Sequence, residues 1–431
     1  MADIEKLLNK YNIEFIQYQF TTITGQLKSV EFPVNIWDEM KHGTGVDGSS
    51  LGFLFTEQSD MKIIPDYKTF SILPWDERVA RFICDVYDDN GNPHSTDPRG
   101  ILRKVLNYAN KKGFEYITRP ELEWFFLNSD FEPIDEGGYM DTLPLDIMAT
   151  LRRTIVTDML EMGIPVKTIH HECGNGQQEI ELMPVNALYQ ADNVQTAKLI
   201  IKTNALLEGV IATFMPKPFP KLAGSGLHIH QYLEKDGENV FADPESGISD
   251  ILRWFVGGII EHVDDITAIL NPIANSYRRL VAGHEAPVYK AWGIANRTAL
   301  IRVPGYEKKA RIEFRGTDGA TNIYLASALL LAAGLDGIER KIEPIEPTTK
   351  NVEKLTAQER KELGITQLPK SLEEAIEYFE QSTFVKEVLG KEIVELYVNY
   401  KKQELKEYNE FSKKGNDALL EWERERYVHT A

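Results

Sequence analysis

Cysteine is nearly absent from this 431-residue chain, which has only Cys84 and Cys173. Two thiols cannot build a disulfide framework or a Cys-type zinc site, and they suit a reducing compartment. An excess of positive charge is missing too. Lys and Arg total 48 against 66 Asp and Glu, a formal net charge of −18. Binding a polyanion needs a basic footprint, so no nucleic-acid partner is expected. Small anionic substrates remain open, because they need only a local cationic pocket. Long apolar runs are lacking as well. The longest, Ile323 to Leu335, falls below the roughly 18 residues of a membrane span and reads as a buried helix. The opening MADIEKLLNKYNIEFIQYQF carries charge where a signal peptide needs an apolar stretch. A cytoplasmic protein with no membrane partner is the expectation. There is no Walker A sequence. One G-x-G-x-x-G match, Gly43 to Gly48, follows a helix-like segment and precedes the strand-like SLGFLF. The dinucleotide fingerprint requires the opposite order, strand then helix.

What is present is an ordinary globular balance, 42% hydrophobic and 26% charged, enough for a large core. At about 150 residues per domain, the length implies more than one unit. A turn-rich stretch, DNGNPHSTDPRG, follows the apolar run ARFICDVY and marks a boundary. We place a small domain at 1–97 and a large one at 98–431. The small one has strand-like IEFIQYQFTT, GQLKSVEF and ARFICDV around helix-like VNIWDEMKH. In the large one GILRKVLNYANKKG is an amphipathic helix stopped by Gly113, and EYITRPELEWFFLN is a strand. Asp146 is expected to cap a helix carrying Ile147, Leu151, Ile155 and Met159. Strands EIELMPV, ATFMP, GLHIHQYL and ARIEFRG alternate with further helices, and the chain is charged, amphipathic helix from Ser371 onward. Strands interspersed with helices make this an α+β or mixed α/β chain.

Three strands carry charged or metal-capable residues on one face. In ELEWFF, Glu121 and Glu123 point to one side and Leu122, Trp124 and Phe126 to the other. His228 and His230 share a face of GLHIHQ, as do Arg311, Glu313 and Arg315 in ARIEFR. His170-His171-Glu172 stands seven residues before Glu179 of EIELM. Each alone reads as a solvated sheet face. Together they suit a pocket for a divalent metal and phosphate. Oxygen and imidazole donors favour Mg²⁺ or Mn²⁺, and arginines take the remaining phosphate charge through forked donors. The stretch Asn275 to Arg302, with Glu285 among Arg278, Arg279, Arg297 and Arg302, has the look of a Gly-hinged flap.

These residues also resemble a known family. VDGSS, SDM, LPW, RPELEWFF, GGY, HHE with GQQE, ADNVQTAK, FMPKPF, GSGLHIH, NSYRRLVAGHEAPVY, NRTALIR, ARIEFR and AAGLDGI occur in the order found in type I glutamine synthetases of bacteria and archaea. That resemblance implies an α+β fold, with a small N-terminal β-grasp-like domain before a large catalytic domain. The catalytic domain would have a curved antiparallel sheet and helices, with a helical C-terminal extension. It implies an ATP-dependent glutamate–ammonia ligase working through γ-glutamyl phosphate, with two or three Mg²⁺ or Mn²⁺ per site. It also implies sites shared between neighbours in a homo-oligomer, a dodecamer of two hexameric rings. By resemblance Glu123, Glu172 and Glu179 hold one metal, and Glu121, His228 and Glu313 the other. Arg297 faces the phosphates, while His230, Arg302, Lys308 and Arg311 serve the nucleotide. Gly224, Arg279 and Arg315 match positions that hold glutamate, and Glu285 matches the flap carboxylate. Asp47, Ser50 and Tyr139 join Glu172 in an ammonium pocket, with Asp47 as proton acceptor.

Some positions depart from the pattern. Ala223 stands where the family has Asn, Tyr232 where it has Ser, and His284 replaces a Tyr. The Tyr that one branch adenylylates falls near Glu353, and a feedback-linked Arg is replaced near Phe55, so neither mode of regulation is expected. Two alternatives stand beside ammonia ligation. One is a γ-glutamyl ligase for another amine such as methylamine, which the missing Asn favours. The other is a non-catalytic relative, which the complete metal-ligand set opposes.

Overall fold

The computed structural model describes residues 2–53, 59–281, 286–304 and 310–431. Among these, the first sheet has six strands: β1 (Phe15–Thr21), β2 (Leu27–Pro33), β3 (Thr44–Asp47), β4 (Asp60–Pro65), β5 (Ser71–Leu73) and β6 (Asp76–Tyr87). The alternation in FIQYQFT explains β1. Ile16, Tyr18 and Phe20 are buried, and the polar residues between them take the other face. β1 pairs antiparallel with β2 and parallel with β6. Trp37, on the short helix Trp37–Met40, stacks on Phe82 of β6 with ring centroids 5.8 Å apart and closes this core. The G-x-G-x-x-G stretch lies in β3 and the turn after it. Residues 48–53 are turn rather than the strand expected for SLGF, because Asp47 accepts hydrogen bonds from the Ser49 and Ser50 backbones and curls the chain. Among the described residues neither a strand directly before it nor a helix after it is present, so the dinucleotide reading falls.

The second sheet has ten strands among the described residues. They are β7 (Glu115–Leu127), β8 (Val166–His171), β9 (Gln177–Leu182), β10 (Val185–Asn186), β11 (Ile211–Thr213), β12 (Leu227–Lys235), β13 (Glu238–Asn239), β14 (Trp292–Ile294), β15 (Ile301–Val303) and β16 (Ile312–Phe314). Its backbone path runs β14-β15-β16-β12-β7-β9-β8. The pairs are antiparallel except β14 with β15, so the sheet is mixed rather than purely antiparallel. One face is apolar: Leu122, Trp124, Phe126, Ile180, Ile229 and Phe314 are buried there. Helices Pro98–Lys111 and Ala187–Leu207 pack against β7. The other face carries the site. The apolar run from Ile323 is the buried helix Ile323–Arg340, and no described helix is long and apolar enough to cross a membrane.

Gly113 ends the helix Pro98–Lys111 at φ +84°, as its position implies. Asp146 does not cap a helix. Met148 stands at that N-terminus without a side-chain cap, and Ile147 is exposed ahead of the first turn. Asp146 is instead buried and accepts from Arg152 Nη1 at 2.9 Å. An arginine one turn into the helix outcompetes the backbone for its charge.

Arg99 fastens the two sheets together. It donates to Asp66 after β4, Asp85 of β6 and Asp192 of the helix Ala187–Leu207 at 2.7–2.9 Å. Removing a buried guanidinium that neutralises several carboxylates costs about 3–5 kcal/mol. Arg99→Met is therefore expected to lower Tm sharply, which thermal unfolding by circular dichroism checks.

Candidate active site

Strand register assembles the site. Across β7 and β9, Glu121 lies opposite Glu181 and Glu123 opposite Glu179. Across β7 and β12, His228 lies opposite Glu121 and His230 opposite Arg119. Glu313 on β16 faces His230 on one side and Arg302 of β15 on the other. Because side chains alternate, this pairing gathers carboxylates, imidazoles and guanidiniums on the face opposite the apolar one. They line a cavity of about 500 Å³. Of the residues singled out by sequence, Glu121, Glu123, Tyr139, Glu172, Glu179, Gly224, His228, Arg279, Arg297, Arg302, Glu313 and Arg315 all line it. Glu285 and Lys308 lie outside the described residues. Asp47 and Ser50 do not line this cavity, nor do His230 and Arg311, which sit just behind its wall.

The imidazole hydrogen bonds fix donors and acceptors. Arg311 Nε donates to His230 Nδ1 at 3.1 Å, so that nitrogen is an acceptor and His230 Nε2 donates to Glu121 Oε1 at 2.7 Å. His228 Nδ1 donates to the other oxygen of Glu121 at 3.1 Å. The same Nδ1 lies 3.8 Å from Glu313, while Nε2 is turned toward Glu123 at 3.8 Å. Burial alone would raise the Glu121 carboxyl, but the two imidazole hydrogen bonds hold it well below the usual carboxylate range. Glu313 is also buried, yet His230 and Arg315 hold it low, with Arg315 Nη1 donating at 2.7 Å and Arg302 Nε against its second oxygen.

The opposite end of the row behaves differently. Burial and the nearby Glu123 raise the Glu172 carboxyl, and burial pushes Glu179 up to about 7 despite a contact of 3.2 Å with His170. Carboxylates crowded enough to resist ionisation fit a divalent cation, which would neutralise them together. Among the described residues, ligand atoms of His170, Glu172 and Glu179 lie within 4.8 Å of one another, and so do those of Glu121, His230 and Glu313; Glu123 and His228, expected as ligands, stand beside these groups, 3.8 Å apart.

Two neighbours stand beside the carboxylate row: His170, already noted in the sequence beside Glu172, and Gln177, which the sequence reading missed. His170 stands opposite Glu179, and burial, which disfavours its charge, is outweighed by that carboxylate, so its imidazole rises to about 9. Its ring also meets Tyr139 edge-on at 5.5 Å. Gln177 Nε2 donates to Glu123 at 3.2 Å and to the Gly224 carbonyl at 3.0 Å, tying that carboxylate to the Gly224 loop. Strand parity gives only that Gln177 shares a face with Glu179, two residues on along β9. At Gly224 any Cβ would come within 2.8 Å of Arg279 Cγ, so only Gly lets that loop lie on the arginine. Ala223 beside it presents a methyl group to the cavity.

Asp47 sits on the exposed edge strand β3. Hydroxyls of Ser50, at 2.5 Å, and Ser49, at 2.7 Å, hold its carboxyl down at about 2. So low a value makes Asp47 a good site for a cation and a poor resting place for a proton.

Comparison with known proteins accounts for both sheets. The family profile described as glutamine synthetase, beta-Grasp domain, matches residues 12–89, and that described as glutamine synthetase, catalytic domain, matches residues 95–427. Glutamine synthetases of Thermotoga maritima and Methanococcus maripaludis are 42% and 41% identical, covering 99% and 97% of this chain and 99% and 96% of their own. A solved structure described as apo GmaS without ligand superposes with a TM-score of 0.87 at 31% identity, covering 100% of both chains. A GmaS/ADP complex gives a TM-score of 0.88 over 99% of both. With profiles over most of its length and relatives matched end to end, this chain belongs to the glutamine synthetase family.

Proposed function

We propose that the chain is an ATP-dependent glutamate–ammonia ligase, forming glutamine through γ-glutamyl phosphate. The observation that carries this reading is the single sheet face on which carboxylates and imidazoles meet guanidiniums around one cavity. A free carboxylate is a poor acylating agent. The side-chain carboxylate of glutamate attacks the γ-phosphorus of ATP and ADP leaves; ammonia then attacks the acyl carbon and phosphate leaves. Arg279, Arg315 and the Gly224 backbone hold glutamate. Arg297, Arg302 and Arg311, with His230, face the nucleotide and its phosphates, and Lys308 and Glu285 complete the set. Bound Mg²⁺ or Mn²⁺ supplies charge neutralisation for the phosphoryl oxygens.

Asp47, Ser50, Tyr139 and Glu172 form the ammonium pocket in this reading. Asp47 and Ser50 belong to the small domain and lie off the chain's own cavity, so they serve a neighbour's site in a cytoplasmic homo-oligomer, a dodecamer of two rings. Met140, Leu143, Leu145 and Ile147, close after Tyr139 in the chain, are large apolar side chains left exposed, which an interface would cover. With Asp47 held so low, it stays ionised and attracts NH₄⁺.

A second reading, a γ-glutamyl ligase for another amine, is favoured by the likeness to GmaS and by the small Ala223 in the cavity wall. Phosphate release from ATP with glutamate, comparing ammonium with methylamine and larger amines, separates the two. Ammonium should give the highest kcat/KM; preference for methylamine would favour the second.

Metal binding should also titrate. Glu179 is raised above its unfolded value of 4.5, so between about 4.5 and about 7 the folded chain holds more protons than the unfolded one. This group's contribution to stability therefore falls as pH rises through that window. A cation needs the carboxylate, so binding should displace protons and strengthen as pH rises through about 7. Thermal unfolding with and without Mg²⁺ checks this: the Tm gain should be larger at about pH 8 than at about pH 6.

A further inference from the structure

His171, the last residue of β8, is wholly buried, and no step above uses it. Its two ring nitrogens reach different segments. Nδ1 lies 2.7 Å from the Glu172 carbonyl oxygen, and Nε2 lies 3.0 Å from Asp135 Oδ1. A carbonyl and a carboxylate can only accept, so both nitrogens donate. The Asp135 side chain is buried as well, and the same oxygen accepts from the backbones of Gly176 at 2.7 Å and Gly137 at 3.1 Å.

The backbone adds a further tie, since the His171 carbonyl accepts from Met140 N at 2.9 Å. The segment 135–141 is thus fastened to His171 on either side of Tyr139, while the imidazole also holds the backbone of Glu172. The segment lies very close to the ring. A Cβ on Gly137 would come within 2.6 Å of His171 Nε2, so Gly is required there. A buried ion pair contributes little net stability. What this one fixes is the spacing between Tyr139 and Glu172.

We infer that His171 is a positioning residue for amine binding, holding the Tyr139 segment at a set distance from Glu172. It touches neither reactant and acts through those two residues. The assignment rests on the ligase reading above, in which Tyr139 and Glu172 belong to the ammonium pocket. The phosphoryl step in that reading runs without Tyr139, so displacing the segment should weaken amine capture and spare glutamate activation.

Steady-state kinetics on the full chain, with ammonium, glutamate and ATP varied in turn, test it. His171→Asn keeps an amide donor in the place of Nδ1 and drops the bond to Asp135. His171→Gln does the reverse, its amide nitrogen standing where Nε2 stood. The Asn variant should raise the KM for ammonium about tenfold, the size of one lost charge-assisted contact. Its KM values for glutamate and ATP should not move, nor should glutamate-dependent ATP cleavage without ammonium. The Gln variant should restore the KM for ammonium. Gly137→Ala pushes the segment off the ring without altering His171, so it should show the same ammonium-specific rise and serves if the Asn chain does not fold. A mere strut would lower Tm and kcat and leave every KM in place, and that result would overturn the assignment. So would an equal rise in all three KM values, or a Gln chain no better than the Asn one. An unaltered chain that releases no phosphate in response to ammonium would remove the ligase reading itself, and this assignment with it.

Discussion

Glu179→Gln is expected to abolish glutamine formation while leaving a folded chain. The apo site already holds Glu179 close to neutral, because it is buried beside Glu121 and Glu123. An uncharged amide there should change folding stability by only on the order of 1 kcal/mol. It nevertheless removes a donor that a divalent cation needs. Lost charge neutralisation at the phosphoryl group is worth several kcal/mol, so kcat should fall at least about 10³-fold. Glu313 is a poorer target, although it too is a metal candidate. It is buried between Arg302 and Arg315, and removing its charge strands two guanidiniums at a cost of about 3–5 kcal/mol. Calorimetric Mg²⁺ binding and Tm, measured beside kcat, separate the two outcomes. A Glu179→Gln chain that binds metal and turns over normally would remove Glu179 from the ligand set.

Asp47→Asn should act on the amine and spare the phosphoryl step. Its carboxylate lies on a different sheet from the cavity residues, and Ser49 and Ser50 keep it ionised at any working pH. The loss should appear as a fall in kcat/KM for ammonium of about tenfold or more, the size of a lost charge-assisted contact to the cation. Glutamate-dependent ATP cleavage without ammonium should persist. Mixing Asp47→Ala chains with Glu179→Gln chains then tests whether sites are shared. If Asp47 serves a neighbour, some interfaces in mixed assemblies pair two intact halves and activity returns. Mixed assemblies that stay inactive would place Asp47 elsewhere.

The large elements were legible because burial imposes periodicity. ELEWFF and ARIEFR alternate polar and apolar residues, and those alternations became β7 and β16 with their carboxylates on one face. What could not be read was pairing across strands. That His170 meets Glu179, or that Gln177 bridges Glu123 to Gly224, depends on register, which a single strand does not encode. The one-residue slip between Val166 and Thr168 of β8, which turns Lys167 onto Glu181, breaks the alternation itself and so was invisible to a period-two reading. Asp146 failed for a related reason: its competitor, Arg152, is near in space because the helix forms, and local capping rules do not count such partners.

The central claim is that glutamate is activated as an acyl phosphate before ammonia attacks. Glutamate labelled with ¹⁸O in its side-chain carboxylate tests it directly, with the product phosphate read by mass spectrometry. One labelled oxygen should appear in each phosphate released, in step with glutamine when ammonium is supplied and far more slowly without it. Unlabelled phosphate formed alongside glutamine would mean that the carboxylate never attacked phosphorus, and would contradict the account.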